Sequence, residues 1–430
     1  MFPQNIHFIG IGGIGVSAIA KMLKEQGVII SGSDTTKSAI TEEIEQQGVP
    51  ITYSHKSTNI LDAHEMVIYS PAVPPENPEL QEAQKRNIPT LSYPQALGKL
   101  TESHFTVAIA GTHGKSTTTA MLSLIAIQAQ LEPNIIIGTK IREIGNQNYK
   151  TGESNLLIIE ACEYKESFQY LQPDILAITN IEPDHLDYYQ TAENYYRAFK
   201  KIMIRTAETG KIFLSPNQKL PKELSDLEKI IQQAPIIDNE LAIPGEFNRH
   251  NASLAAAVAL KLGATTEDIA TTLKQYNGSW RRMEYHDEIF PGTTLIDDYG
   301  HHPTEITATI NAIRQRHPEG ELLLVFQPHQ YSRTHHFLEE FAEALSAAPV
   351  SKIIIPNIYE VRDSQSSINS VSAQTLVDKI NQKGGQAEYG GPLEQTAQHL
   401  INNHQNYQTI VTMGAGDIEN IYHLLKDSSK

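Results

Sequence analysis

One cysteine among 430 residues, Cys162, cannot close an internal disulfide. So sparse a usage fits a reducing compartment, with the thiol read as a small buried residue and not as a nucleophile. Long apolar runs are missing too. No stretch approaches the roughly 20 apolar residues of a membrane span, which excludes a helical membrane protein. No basic leader precedes the apolar segment at residues 6–9 and no small-residue cleavage site follows it, so the expectation is a cytoplasmic protein. Basic charge is in short supply, with 34 Lys+Arg against 50 Asp+Glu and a net charge of −16. Such a surface repels nucleic acid and anionic membrane, and any phosphate has to be gripped locally. Internal repeats and low-complexity tracts are absent, and the Ser- and Asn-rich segment 363–372 reads as a mobile loop.

What is present is an ordinary packed composition, 40% hydrophobic and 20% charged, over a length that at about 150 residues per domain predicts about three domains. Short apolar runs alternate with helical patterns, which predicts an α/β chain of mostly parallel sheets with crossover helices. Strands are expected near residues 6–9, 28–31, 66–70, 105–110, 156–159, 175–179 and 211–214, and again near 295, 322–326, 352–355 and 409–413. A helix of strong formers is expected at 252–262, ended by Gly263 in a left-handed cap position. The Pro-rich stretch 71–78 reads as a loop. The expected domains are 1–102, 103–289 and 290–430, the second boundary lying where the pattern turns polar near Pro291-Gly292.

Two glycine-rich turns carry the first chemistry. Gly10-Ile11-Gly12-Gly13-Ile14-Gly15 follows a strand and opens a helix, and Ser33-Asp34 ends the next strand. That context suits a diphosphate, because glycines let the backbone approach and a helix N-terminus supplies N–H donors; nothing in it specifies nicotinamide. The second turn, Gly111-Thr112-His113-Gly114-Lys115-Ser116-Thr117, also joins a strand to a helix. It resembles a P-loop, shortened because Ile109 stands where a strict version has glycine. Backbone N–H groups there can cradle phosphates, with Lys115 as a point charge and the Ser116 hydroxyl as a Mg²⁺ ligand. A redox enzyme has little use for a nucleotide triphosphate site beside its cofactor, so nucleotide-driven joining becomes the leading class.

Hard cations prefer oxygen ligands. Glu160-Ala161-Cys162-Glu163 and Asn180-Ile181-Glu182-Pro183-Asp184-His185 follow strands, where open α/β sheets bind ligands. Each carboxylate alone also reads as a solvated loop residue, and His185 as a capping or packing histidine.

Taken in order, these segments together with Arg281-Arg282, Asp297-Asp298-Tyr299-Gly300-His301-His302-Pro303-Thr304-Glu305, Phe326-Gln327-Pro328-His329 and Gly414-Ala415-Gly416-Asp417-Ile418 resemble the ordered motifs of Mur ligases over nearly the whole chain. The last three are most similar to the branch that joins L-alanine to UDP-N-acetylmuramic acid. The resemblance implies a Rossmann-like N-terminal domain for the UDP sugar, a P-loop-type central ATPase domain and a Rossmann-like C-terminal domain that closes over the amino acid. It implies ATP and Mg²⁺, with UDP-N-acetylmuramic acid and L-alanine as the other small-molecule substrates. Lys115 would hold the β- and γ-phosphates, Ser116 one Mg²⁺, and Glu160 with His185 a second.

Carried over in the same way, Gly10, Gly12, Gly13, Gly15, Ser33 and Asp34 would bind the UDP sugar, while Asn248, Asn251 and Arg282 would complete the ATP site. Asp298, Tyr299, His301, His302 and Arg333 would serve amino-acid binding and closure. Lys200 matches the Tyr-x-x-x-Lys spacing around the carbamoylated lysine of sister enzymes, although Lys201 beside it suggests a plain solvated helix face. This chain departs from the family's usual residues at Phe247, Cys162 and Gln330, where His, Asp and Arg are common. One histidine of each pair, His301-His302 and His335-His336, is expected to be structural. The rivals are a ligase that attaches a whole recycled tripeptide to the same sugar, an NAD-dependent dehydrogenase resting on the first turn alone, and a nucleotide-binding regulator. A monomer and a homodimer both remain open.

Overall fold

The computed structural model describes residues 2–286, 289–361 and 363–427. Three sheets organise it. Strands β1 (Asn5–Ile9), β2 (Ile29–Ser33), β3 (Ile51–Thr52), β4 (Met66–Tyr69) and β5 (Thr90–Ser92) form the first, all parallel, in the order β3-β2-β1-β4-β5. The second takes β6 (Phe105–Ala110), β7 (Asn134–Ile141), β8 (Gln147–Lys150), β9 (Leu156–Glu160), β10 (Ile175–Ile178), β11 (Lys211–Leu214) and β12 (Ile231–Gln233). Their order is β12-β11-β10-β6-β9-β7-β8, parallel except for the β7–β8 hairpin. The third contains β13 (Glu284–Tyr285), β14 (Thr294–Asp298), β15 (Leu322–Phe326), β16 (Lys352–Pro356), β17 (Ala387–Gly391) and β18 (Thr409–Met413), ordered β13-β14-β18-β15-β16-β17. Only β13 runs antiparallel to its neighbour.

The strands explain themselves. Central strands of parallel sheets are covered on both faces, so they read as continuous apolar runs and not as alternations; every residue of β15 and β18 is buried. The sheets divide between two compact units, Met1–Glu240 with Arg249–Tyr276, and Leu241–Asn248 with Asn277–Lys430. The first two sheets share the first unit. Among the described residues no helix is long and apolar enough to cross a membrane.

Some details differ from the sequence reading. Pro78 is not loop but the first residue of helix Pro78–Lys85, where its missing N–H costs nothing, capped by the Asn77 side chain. The helix expected at 252–262 begins earlier, as Glu246–Leu262, and Gly263 adopts φ +102° as expected of its cap. The segment expected to be a mobile loop contains the short helix Gln365–Ile368. Asp363 at its start accepts the backbone N–H groups of Tyr331 and Ser332, each at 2.9 Å.

Candidate active site

The glycine-rich loop 111–117 sits at the C-terminal end of β6, between β9 and β10 in the sheet, and feeds the buried helix Lys115–Gln128. Two of its positions admit only glycine. Gly111 has φ +135° and a Cβ there would lie 2.0 Å from Thr179 Oγ1; Gly114 has φ +80° and its Cβ would lie 2.4 Å from Asn251 Oδ1. The segment after β10 holds the loop in shape. Asn180 Oδ1 accepts from the N–H groups of Thr112 (3.1 Å) and His113 (3.0 Å), while its amide and the Thr179 hydroxyl donate to His113 O at 3.1 and 2.6 Å. Thr112 Oγ1 donates to Glu182 O at 2.7 Å and accepts from Glu182 N–H at 2.9 Å. Its one proton is thereby spent, so the buried Tyr195 hydroxyl, 2.8 Å away, donates to it.

Lys115 lies at the centre of a charged cluster. Its ammonium donates to the carbonyls of Gly111 (2.6 Å) and Thr112 (3.0 Å) and meets Glu163 Oε2 at 2.9 Å. Burial works to lower its pKa, but the carboxylates, Glu163 first and then Glu160, outweigh burial and hold it above the ordinary lysine value. The cation is secure. Glu163 is 1% exposed and also faces His185 Nε2 at 3.6 Å, while Tyr189 donates its hydroxyl to the Glu163 carbonyl. His185 itself adopts φ +54°, and Lys165 (+52°) and Glu166 (+54°) on the facing segment are left-handed too, while the Tyr164 ring lies tilted against His185 with centroids 4.7 Å apart. A left-handed conformation costs a non-glycine residue on the order of 1 kcal/mol, and strain of this kind gathers at functional sites. Glu160 uses Oε1 to accept Gly138 N–H at 2.8 Å; among the described residues its Oε2 makes no further hydrogen bond. Ser116 opens the helix beside them and is largely buried. Among the described residues no three His, Cys, Asp or Glu side chains form a metal cage by themselves.

Cys162 corrects the expectation of a buried residue, for its surface reaches solvent. Desolvation by the surrounding protein, and then Glu163, push its thiol up to about 12, which leaves it unreactive. Lys200 is not brought to this cluster. It is on helix Ala192–Thr209, 35% exposed, and pairs with Asp226 at 2.8 Å, while Lys201 pairs with Glu166 at 3.1 Å. Such pairs contribute about 1 kcal/mol at most. Lys200→Ala is therefore expected to keep turnover within about twofold of wild type, with or without bicarbonate. An inactive variant rescued by formate would restore the carbamoylation reading.

The first turn is tied to β2. Ser33 O accepts the N–H groups of Gly10 (2.8 Å) and Ile11 (3.1 Å), and Asp34 Oδ2 accepts Gly12 N–H at 2.8 Å. Gly10 has φ +73°, and a Cβ on Gly15 would lie 2.5 Å from the Tyr93 ring. Gly13 has more room, its Cβ meeting nothing nearer than 3.5 Å. Ser33 is fully buried with its hydroxyl turned inward, so it shapes this turn through its carbonyl and does not present a side chain to a ligand.

The second unit holds the remaining motif residues. Arg281, 3% exposed, donates to Asp297 Oδ2 (3.2 Å), Gly416 O (3.0 Å) and Gly414 O (2.5 Å). With Arg282 it lies over the Tyr299 ring, at 5.2 and 4.8 Å. Asp298 is structural in its contacts, accepting N–H groups from Met283 (3.0 Å) and Gly300 (2.9 Å). His302 caps helix Pro303–Arg316, its ring accepting Thr304 N–H at 3.3 Å, whereas His301 faces Glu305 at 3.3 Å and the edge of Tyr299. Arg333 lies on the short helix Tyr331–His336. Asn248 donates to Pro244 O at 2.7 Å within this unit, while Asn251 belongs to the first unit beside Gly114.

Burial pushes Asp297 up to about 7, against the opposing pull of Arg281. An unfolded aspartate titrates near 3.9. A raised folded pKa means that this group favours folding fully below about pH 4 and loses that contribution as pH rises to about 7. Asp297→Asn should flatten the fall in melting temperature over that window; an unchanged pH profile would remove Asp297 as its source.

Family models for the Mur ligase family catalytic domain, the Mur ligase middle domain and the Mur ligase glutamate ligase domain match residues 5–105, 109–227 and 281–416. A UDP-N-acetylmuramate–L-alanine ligase of Agathobacter rectalis is 35% identical over 97% of this chain and 97% of its own length. The chain belongs to the Mur ligase family. The Mur ligase fold is matched as a whole by the UDP-N-acetylmuramate-alanine ligase MurC of Thermotoga maritima, with TM-score 0.80 and 25% identity over 99% of this chain and 100% of that one. A murein peptide ligase of Psychrobacter arcticus shares the fold at TM-score 0.71 and 21% identity, covering 99% and 98% of the two chains. The Mur ligase middle-domain match spans Lys115 and the residues packed around it, including ones to which the sequence alone assigns no role. Glu163 was seen only as part of an acidic cluster, and Thr179 and Tyr195 were given no task.

Proposed function

We propose that this Mur ligase joins L-alanine to the lactyl carboxylate of UDP-N-acetylmuramic acid at the expense of ATP, in the cytoplasm, as a step of peptidoglycan precursor synthesis. The observation that carries the reading is the full-length likeness to alanine-adding relatives combined with a charged Lys115 held by Glu163 inside a glycine loop. ATP enters at residues 111–117, beside Asn251. The sugar nucleotide enters at the turn 10–15 with Asp34. The amino acid meets the segment with Tyr299 and His301, and Arg333 answers its carboxylate.

Lys115 exchanges its two loop carbonyls for phosphate oxygens and neutralises charge as the γ-phosphate passes to the lactyl carboxylate. The acyl phosphate is then attacked by the alanine amine, releasing phosphate, and no covalent enzyme intermediate is needed. Asn180, Thr179 and Tyr195 keep the loop from relaxing during transfer, which is a contribution of positioning. Mg²⁺ suits oxygen donors: it takes one or two protein oxygens and completes its shell with phosphate and water, which the Ser116 hydroxyl and the Glu160 carboxylate would supply, with His185 as a further candidate donor. When bound it would screen the negative charge of the phosphates. Phosphate release is expected only when ATP, Mg²⁺, UDP-N-acetylmuramic acid and L-alanine are all supplied. Release with any one of the four left out would count against the reading.

A further inference from the structure

A carboxylate that the phosphate chemistry leaves unused is fully buried in the first sheet's domain. Glu79, on the first turn of helix Pro78–Lys85, is 0% exposed. Burying a carboxylate is costly unless it is paired and hydrogen-bonded. Four segments supply partners. Ser33 at the end of β2 donates its hydroxyl to Oε2 at 2.5 Å, Asn59 donates to Oε1, and ring nitrogens of His7 on β1 and His55 after β3 lie 3.5 Å from Oε2. Burial works to raise its pKa, but His7, Ser33 and Asn59 outweigh it and hold the carboxyl below its ordinary range. Glu79 is an anion.

One histidine of this set reaches solvent. His7 is 2% exposed, whereas His55 is 19% exposed, and its Nδ1 lies 3.2 Å from Ser33 Oγ. The Ser33 proton is spent on Glu79, so both groups facing Nδ1 are acceptors. Nδ1 must therefore carry a proton, and in the neutral ring Nε2, across from it, presents a bare lone pair. No described residue satisfies it. His55 is also anchored to the first turn, because Ser33 O holds Gly10 and Ile11 and the next residue, Asp34, holds Gly12.

An acceptor lone pair repels phosphate oxygens and seeks a donor. A sugar nucleotide offers donors in its uridine, the imide N–H of the base and the ribose hydroxyls. We propose that His55 is a binding residue for the uridine half of the sugar nucleotide, accepting a hydrogen bond at Nε2, with Glu79 and Ser33 as positioning residues that fix its tautomer. This rests on the reading that the turn 10–15 takes the sugar nucleotide.

The test is calorimetric titration of the full chain with UDP and, separately, with ATP. His55→Ala should weaken UDP binding about tenfold, the equivalent of roughly 1.4 kcal/mol, with the Kd for ATP and the melting temperature unchanged. Glu79→Gln keeps the volume but offers His55 a donor amide, which inverts the tautomer; it should weaken UDP several-fold while ATP binding is preserved. A merely structural Glu79 would lower the melting temperature and leave the UDP Kd of the folded protein alone. Wild-type binding of UDP with both variants within twofold of it overturns the His55 assignment. Failure of the wild-type chain to bind UDP overturns the assignment of the turn itself, and this inference with it.

Discussion

Lys115→Met should lower kcat by about 10²- to 10³-fold, the scale seen when one preorganised donor to a developing charge is removed, while the affinity for the sugar nucleotide stays near wild type. The substitution also strips Glu163 of the cation 2.9 Å from it. A buried carboxylate left unpaired is destabilising, so part of the loss could come from a disordered loop and not from missing charge. The double variant Lys115→Met/Glu163→Gln separates the two. It should recover the melting temperature and recover no turnover, because the amide repairs the packing and cannot supply a positive charge to the phosphate. Recovered turnover in the double variant would mean that Lys115 serves only to neutralise Glu163.

The second large effect is expected from Arg281→Met. The guanidinium is almost fully buried and ties Asp297 on β14 to the carbonyls of Gly414 and Gly416 after β18. Removing one partner of a buried pair costs about 3 to 5 kcal/mol, much of it from the charge left behind. The loss should be smaller at pH 5 than at pH 8, since Asp297, already pushed up to about 7, escapes the penalty by taking a proton. Hydrogen exchange on β14 and β18 reads the second unit by itself, which matters because a chain with two compact units need not unfold in one step. Protection in Arg281→Met equal to wild type at pH 8 would show the pair to be dispensable, and Arg281→Met/Asp297→Asn should restore most of what the single change loses.

The parts of this architecture that were legible in the sequence are those written locally. A strand running into Gly111 and out of Gly114 into a helix is recorded within a dozen residues, and the left-handed φ at both glycines is what that spacing demands. The buried strands β15 and β18 announce themselves as unbroken apolar runs. What was illegible depends on partners far apart in the chain. Glu163 meets Lys115 across 48 residues and Asn180 grips Thr112 across 68, and neither distance follows from any spacing. In the β7–β8 hairpin, β8 (Gln147–Lys150) is polar and sits at the sheet edge, where a strand needs no apolar signature, whereas β7 (Asn134–Ile141) carries an apolar run that the sequence analysis did not single out. Likewise the two-residue β13 lies in a stretch that reads as a polar boundary, yet pairs with β14. Lys200 shows the opposite case: a motif-like spacing whose lysine pairs with Asp226 in this structure.

The choice between an alanine-adding and a tripeptide-adding enzyme is the centre of this account, since both kinds of relative share the fold. The direct measurement is mass spectrometry of the product after one incubation with ATP, Mg²⁺ and UDP-N-acetylmuramic acid, with L-alanine and the recycled tripeptide offered together at equal concentration. The expected result is a single new sugar nucleotide whose mass is that of UDP-N-acetylmuramic acid plus one alanine residue, formed with stoichiometric release of ADP and phosphate. A product carrying the tripeptide, with none carrying alanine, would contradict it.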